Sequence, residues 1–270
     1  MSFPVPVLLK HRHFGEKGRT PLVILHGLLG SSRNWQTVAR DLVDDFSVYA
    51  LDLRNHGESP HSSEMNYAAL AADVCAWLDR EGLGAVHLLG HSMGGKTAMV
   101  LATRYPERLT SLTVVDIAPK DYDSHHRLEF DAMNAMNIDG IHSRKEADDA
   151  LEKLGVKDWA MRQFLLTNLV RNDTEGTDNS QASYRWLIDL PSLTKALPVL
   201  VKNPLANGAC FQGPTFFIRG EKSDFIHDAD IPSIHRYFPN AKILNLANSG
   251  HNPHIEDREH FAALLKTQIL

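Results

Sequence analysis

Cysteine is scarce in this chain of 270 residues, which contains only Cys75 and Cys210. Two isolated cysteines fit neither a disulfide framework nor the paired spacing of a zinc site. We therefore expect free thiols, a reducing compartment and a cytoplasmic location. Residues 1–7 also lack the basic segment and apolar run of a secretory signal, so we expect no export.

Long apolar runs and an excess of either charge are absent as well. No stretch approaches the ~18 apolar residues that cross a bilayer, so membrane insertion is not expected. The net charge of −5 gives no electrostatic reason for a nucleic-acid partner. The length and the hydrophobic content of 43% suit one α/β domain acting on a small molecule, and nothing in them sets an oligomeric state.

The 15 histidines do not form a metal-binding pattern. His11 and His13 lie two residues apart, and His251 and His254 lie three apart. Neither pair belongs to a His-Glu-x-x-His motif or to a compact carboxylate cluster. We expect no metal and no other cofactor.

Strand and helix patterns alternate from residue 20 to about 117, which predicts a mostly parallel sheet flanked by crossover helices. Strands are expected near 21–25, 46–51, 85–90, 111–116, 214–219 and 241–247, with a possible edge strand at 7–14. Helices are expected near 35–43, 67–81 and 95–104. Helical patterns at 147–154, 158–170 and 181–187 predict a helical cap, 119–205, inserted between two parts of the core, 1–118 and 206–270.

A Gly-x-Ser-x-Gly pentapeptide stands at 90–94 (GHSMG), between a strand pattern and a helix pattern. A turn this sharp excludes a Cβ at either glycine and exposes the hydroxyl of Ser92 in a strained backbone conformation. The pattern alone is common by chance, whereas its place between strand and helix is typical of a serine nucleophile.

A serine nucleophile needs a base and a site for the developing negative charge. His251 follows the last predicted strand, at the edge of the sheet where sites of open α/β proteins are built. The loop at 26–30 (HGLLG) follows the first parallel strand and suits an oxyanion hole. The backbone N–H groups of Leu28 and Met93 would then bind the substrate oxygen.

The sequence resembles the α/β-hydrolase family along nearly its whole length, in the segments 26–30 (HGLLG), 52–59 (DLRNHGES), 90–95 (GHSMGG) and 250–251 (GH). It is more closely similar to a subgroup of small bacterial esterases with mitochondrial relatives in animals, in 90–99 (GHSMGGKTAM), 115–119 (VDIAP) and 165–170 (LLTNLV). The resemblance implies an α/β-hydrolase fold, mostly parallel and with a helical cap.

The acid that orients His251 has two candidates. Most of the family places it three residues after a glycine, where 220–224 (GEKSD) has Ser223, with Asp224 one residue later. The closer subgroup takes the acid from the preceding strand, which ends here at Asp116. The resemblance therefore implies Asp116 as the acid and Ser223 as an additional hydrogen-bond partner, while Asp224 stays the alternative.

The reaction implied is hydrolysis of carboxylic esters with short- to medium-chain acyl groups through an acyl-enzyme on Ser92. Thioesterases and C–C hydrolases share the fold and stay open as alternatives. A slow-turnover ligand receptor that retains the triad is a further alternative from a different functional class.

Overall fold

Among the residues that the structure describes, the strands form one large sheet and one small one. The computed structural model describes residues 4–123, 126–172 and 183–269. The strands are β1 (Lys10–Phe14), β2 (Thr20–Leu25), β3 (Phe46–Asp52), β4 (Val86–His91), β5 (Leu109–Val115), β6 (Leu169–Arg171), β7 (Tyr184–Trp186), β8 (Thr215–Gly220) and β9 (Ala241–Leu246). The helices are α1 (Gln36–Asp41), α2 (Tyr67–Arg80), α3 (Met93–Arg104), α4 (Arg127–Ala135), α5 (Arg144–Lys153), α6 (Trp159–Leu166), α7 (Leu190–Leu200), α8 (Ile231–Tyr237), α9 (Pro253–Glu256) and α10 (Arg258–Ile269).

The large sheet has seven strands in the order β1-β3-β2-β4-β5-β8-β9. Strand β1 pairs with β3 in antiparallel orientation, and the other neighbours are parallel. The predicted strands agree with the observed ones, and the segment at 7–14 contains the edge strand β1. The mostly parallel α/β sheet predicted from the sequence is confirmed.

Side chains of the central strands are buried on both faces of this sheet. Leu22 and Ile24 of β2 pack with α1 and α10 on one face, whereas Val23 and Leu25 pack with α2 and α3 on the other. Parallel strands covered by helices on both sides read as continuous apolar runs, as this strand does. The carboxyl ends of the parallel strands therefore meet at one edge, which carries the polar loops.

Between β5 and β8 the chain forms α4 to α7 and the small sheet β6-β7. Several hydrogen bonds fasten this segment to the core. The amide of Asn168 donates to the Leu29 carbonyl at 2.8 Å, and the Tyr67 hydroxyl donates to the Leu200 carbonyl at 2.6 Å. The N–H of Asp189 donates to the carbonyl of Asn55 at 3.0 Å.

Of the helices predicted in this segment, one extends too far and one is wrong. The helix predicted at 158–170 ends at Leu166, and 169–171 form β6. The helix predicted at 181–187 contains β7 instead, which pairs with β6 in antiparallel orientation, while residues 181 and 182 lie outside the described residues. Aromatic residues at alternate positions, Tyr184 and Trp186, favour a strand once a partner is present, and this long-range pairing outweighs the local helical pattern.

Candidate active site

Ser92 lies on the tight turn between β4 and α3, with φ of 51° and ψ of −116°. A Cβ at Gly90 would lie 2.2 Å from the Gly94 carbonyl oxygen, and one at Gly94 would lie 2.4 Å from the Leu25 carbonyl oxygen. Both distances are far below van der Waals contact, so only glycine fits at either position. The turn thus holds Ser92 at a positive φ, which residues other than glycine rarely adopt.

His251 and Asp116 meet across the edge of the sheet. Nδ1 of His251 lies 2.8 Å from Oδ2 of Asp116, which is fully buried. The Ser223 hydroxyl donates to the same carboxylate oxygen, and the Gly220 N–H donates to Oδ1 at 3.2 Å. Since a carboxylate only accepts, His251 carries its proton on Nδ1 and leaves Nε2 free as an acceptor.

Asp224, the alternative acid, directly follows Ser223 but is placed differently. Asp224 is exposed to solvent, and no hydrogen bond or ion pair joins it to His251 within the described ranges. The structure therefore brings Ser223 and Asp116 to the histidine and leaves Asp224 apart.

Two aromatic neighbours fix the His251 ring and its loop. The ring of Phe225 stacks on that of His251, with centroids 3.7 Å apart and planes 17° apart. His91 donates its Nε2–H to the His251 carbonyl at 2.8 Å. Burial lowers the pKa of His91 well below its usual value, with the nearby His251 and His254 adding to the effect. His91 is therefore neutral and holds the loop in place. The stacking of Phe225 on His251 could not be predicted from the sequence.

The loop after β2 is braced by two buried histidines. Nε2 of His56 accepts the Leu29 N–H at 3.2 Å, and Nε2 of His26 accepts the Leu53 N–H at 3.0 Å. Each Nδ1 donates to a backbone carbonyl, so both rings are neutral. Burial lowers the pKa of His26 to about 4 and that of His56 to about 3.

The backbone N–H of Leu28 makes no hydrogen bond to any residue that the structure describes. Met93 is the first residue of α3, and the first N–H groups of a helix have no partner within it. Leu28 and Met93 also line one cavity together with Ser92. Both residues thus lie beside Ser92, and both N–H groups are available as donors, as an oxyanion hole requires.

Two cavities meet at Ser92. The first, here called the Lys96 pocket, has a volume of about 60 Å³, and its lining includes Tyr67, Lys96, Ile117, Leu197, Leu200 and Phe225. The second, the His251 pocket, has a volume of about 460 Å³, and its lining includes Trp35, Ala160, Met161, Phe164, His251 and Ile255. Leu28, Ser92 and His126 line both.

The Ser92 hydroxyl makes no hydrogen bond to any described residue. It shares the His251 pocket with the histidine, and catalytic hydrogen bonds are often long until substrate binds. The arrangement leaves the hydroxyl free to meet a substrate between the two pockets.

Lys96 lies one turn after Ser92 on α3 and is almost completely buried. Its Nζ donates to the carbonyls of Lys120, Val201 and Lys202 at 3.1, 2.9 and 2.7 Å. Burial lowers the pKa of Lys96 to about 7. No local sequence pattern signals these three long-range acceptors. Lys96 ties the helix behind the serine to both ends of the segment between β5 and β8.

No group of three or more metal-ligating side chains was found among the described residues. None of the described helices combines the length and apolarity needed to cross a bilayer. Cys75 and Cys210 are both free thiols.

The comparisons with known proteins agree with this fold. The family model for the alpha/beta hydrolase fold matches residues 20–258. A solved structure described as a marine microorganism esterase superposes with a TM-score of 0.91 at 34% identity, covering 97% of this chain and 99% of that one.

Two curated relatives are similarly close. The sn-1-specific diacylglycerol lipase ABHD11 of Danio rerio is 36% identical over 97% of this chain and 82% of its own length. Esterase YbfF of Escherichia coli strain K12 is 32% identical over 89% of each chain. The extent of the family match and the identity to these relatives together show that this chain belongs to the alpha/beta hydrolase fold family.

Proposed function

We propose that this protein is a serine hydrolase of carboxylic esters, in which Ser92 is the nucleophile, His251 the general base and Asp116 the orienting acid. The observation that carries the proposal is the 2.8 Å contact between His251 Nδ1 and Asp116 Oδ2. It leaves Nε2 as the only free acceptor of a ring that lines the same cavity as Ser92. The relatives named as esterases or lipases favour ester hydrolysis over the receptor alternative.

The reaction follows from these positions. Nε2 of His251 removes the Ser92 proton as Oγ attacks the ester carbonyl carbon, and the carbonyl π electrons move to oxygen. The N–H groups of Leu28 and Met93 bind that oxyanion, and each such donor is worth about 3 kcal/mol. The imidazolium formed is stabilised by Asp116. It then protonates the leaving alcohol as the C–O bond breaks, which leaves the acyl group on Oγ.

Water completes the cycle by the reverse path. His251 removes a proton from water as the water oxygen attacks the acyl carbon, and the same two N–H groups hold the second oxyanion. The intermediate then expels Ser92 Oγ, which recovers its proton from His251. Every proton is moved by the histidine, so the sequence of steps needs no cofactor.

Ser223 and Asp224 have different parts in this proposal. The Ser223 hydroxyl donates to the oxygen of Asp116 that also faces His251, and this supports an auxiliary role in holding the carboxylate. Asp224 makes no described contact with the histidine, which favours Asp116 as the acid.

We also propose that residues 119–205 act as a cap over the core formed by 1–118 and 206–270. The hydrogen bonds of Lys96 to Lys120, Val201 and Lys202 fall close to both proposed boundaries. The cytoplasm remains our prediction for the location of the enzyme, supported by the free thiols.

The proposal is tested by comparing Ser92→Ala with Ser32→Ala on p-nitrophenyl butyrate. Ser32 is a suitable control because it is buried and its hydroxyl has no hydrogen-bond partner among the described residues. We expect Ser92→Ala to fall to near background, while Ser32→Ala keeps wild-type turnover. Robust hydrolysis by a folded Ser92→Ala protein would contradict the assignment.

A further inference from the structure

Ser92 separates two pockets that differ about eightfold in volume, about 60 Å³ against about 460 Å³. An ester places its two halves on opposite sides of the carbonyl carbon. The two pockets can therefore hold the acyl chain and the alcohol separately, and the question is which pocket holds which.

The direction of proton delivery decides the question. The leaving oxygen must come within hydrogen-bond reach of Nε2 of His251, since this group protonates it. His251 lines the larger pocket and does not line the smaller one. The alcohol therefore extends into the His251 pocket.

The position of the oxyanion hole determines where the acyl chain extends. With the carbonyl oxygen on the N–H groups of Leu28 and Met93 and the leaving oxygen at His251, one substituent of the reacting carbon remains. Of the two pockets described at Ser92, the Lys96 pocket is the one that the alcohol does not occupy. The acyl chain consequently extends into the Lys96 pocket.

The volume of the Lys96 pocket limits the acyl chain. A dry cavity of about 150 Å³ holds benzene, or about 25 Å³ per carbon. By the same measure, 60 Å³ accepts two or three carbons beyond the carbonyl. A propionyl or butyryl group fills the pocket, and a longer chain exceeds it.

The wall of the Lys96 pocket is held in place. Lys96 donates three hydrogen bonds to main-chain carbonyls, and Tyr67 donates one to Leu200 at the end of α7. Expansion for a longer chain would break buried hydrogen bonds and leave their donors and acceptors unsatisfied, which is unfavourable.

The His251 pocket, in contrast, is large enough for a bulky group. Its volume is about three times that of a benzene-sized cavity, and aromatic and apolar side chains, including Trp35, Met161 and Phe164, contribute to its lining. A bulky, largely apolar alcohol can bury its surface there.

On this basis, and resting on the proposed function, we propose that the enzyme hydrolyses propionyl and butyryl esters of bulky apolar alcohols. The assignment follows from the place of His251 in one pocket and the volume of the other.

The test uses two ester series. In the first, p-nitrophenyl acetate, butyrate and octanoate vary the acyl chain. We expect kcat/KM to rise by about fourfold per methylene up to butyrate and to fall by about tenfold or more at octanoate because of overpacking. In the second, methyl, benzyl and naphthylmethyl butyrates vary the size of the alcohol while its acidity stays similar, and we expect the naphthylmethyl ester to be the best substrate.

Two variants probe the pockets separately. Leu197→Ala enlarges the Lys96 pocket and should raise the octanoate-to-butyrate ratio by about tenfold. Leu193→Ala is the control, because Leu193 is fully buried on the same helix but lines neither pocket. Ala160→Trp places a large ring at an exposed position of the His251 pocket. It should depress the hydrolysis of naphthylmethyl butyrate more than that of methyl butyrate, unlike Lys153→Trp on α5.

The outcomes separate the two proposals. If neither series is hydrolysed, the esterase function itself fails. If esters are hydrolysed but octanoate is preferred and the bulky alcohols are rejected, the pocket assignment is reversed and this inference is overturned. An equal effect of Leu197→Ala and Leu193→Ala on the octanoate-to-butyrate ratio would also overturn it.

Discussion

Replacement of Asp116 by asparagine tests how the acid controls His251. In the native site Oδ2 accepts from both His251 and Ser223, while Oδ1 accepts from the Gly220 N–H. In the variant, the NH₂ group of the new amide must replace one of these two oxygens. If the NH₂ group faced Gly220, it would meet the Gly220 N–H, which is also a donor. The NH₂ group therefore faces His251 and Ser223, because the Ser223 hydroxyl can accept a hydrogen bond.

The consequence is the wrong tautomer of the histidine. An NH₂ group facing Nδ1 makes that nitrogen an acceptor, so the ring proton moves to Nε2, which can no longer take the Ser92 proton. Loss of the equivalent carboxylate in a well-studied serine protease costs about 10⁴ in kcat, which corresponds to roughly 5 kcal/mol in the barrier. We expect a loss of several orders of magnitude in kcat for Asp116→Asn, with a small change in KM.

The assay measures kcat and KM on p-nitrophenyl butyrate for Asp116→Asn and for Asp224→Asn. Thermal unfolding of both variants serves as the control for folding. We expect Asp224→Asn to cost about tenfold or less, because its side chain makes no described contact with His251. A crippling Asp224→Asn combined with a mild Asp116→Asn would refute the reasoning.

Three further predictions concern the supports of the site. Ser223→Ala should reduce kcat by an amount between the two aspartate variants, since Asp116 keeps His251 but loses one donor; wild-type kcat would refute this. Burial holds the pKa of His26 at about 4 and that of His56 at about 3, below the ~6.5 of an unfolded chain. Because the unfolded state then binds more protons below pH 6.5, these two residues should lower the free energy of unfolding by roughly 3–4 kcal/mol between pH 7 and pH 5. Denaturant titrations at the two pH values measure this fall. The same fall in the wild type and in a His26→Gln, His56→Gln double variant would count against the prediction. Gly94→Ala puts a Cβ 2.4 Å from a backbone oxygen of β2, so this variant should have both a lower melting temperature and no activity. An active variant of wild-type stability would show that the turn can accommodate a Cβ.

The sequence was sufficient for the features that depend on local pattern. The central strand β2 is largely a continuous apolar run, and Gly90 and Gly94 are unavoidable where strand and helix approach so closely. The order of these elements then places Ser92, Asp116 and His251 at one edge, because parallel strands end on the same side of the sheet.

The sequence was insufficient where pairing between distant segments decides the structure. Strand β7 forms only against β6, so the local pattern at 181–187 suggested a helix. The three acceptors of Lys96 come from segments that are remote in the chain. The acid stayed open between Asp116 and Asp224, since a shift of one residue in a loop cannot be judged before the loop has a shape.

The central claim, an acyl-enzyme on Ser92, is tested most directly by trapping it. The enzyme is mixed with p-nitrophenyl butyrate, quenched in acid within milliseconds, digested and mapped by mass spectrometry. The account predicts one butyryl group per chain, on the peptide that contains Ser92, and none in Ser92→Ala. A butyryl group on another residue, or turnover with a burst of p-nitrophenol but no modified Ser92, would contradict it.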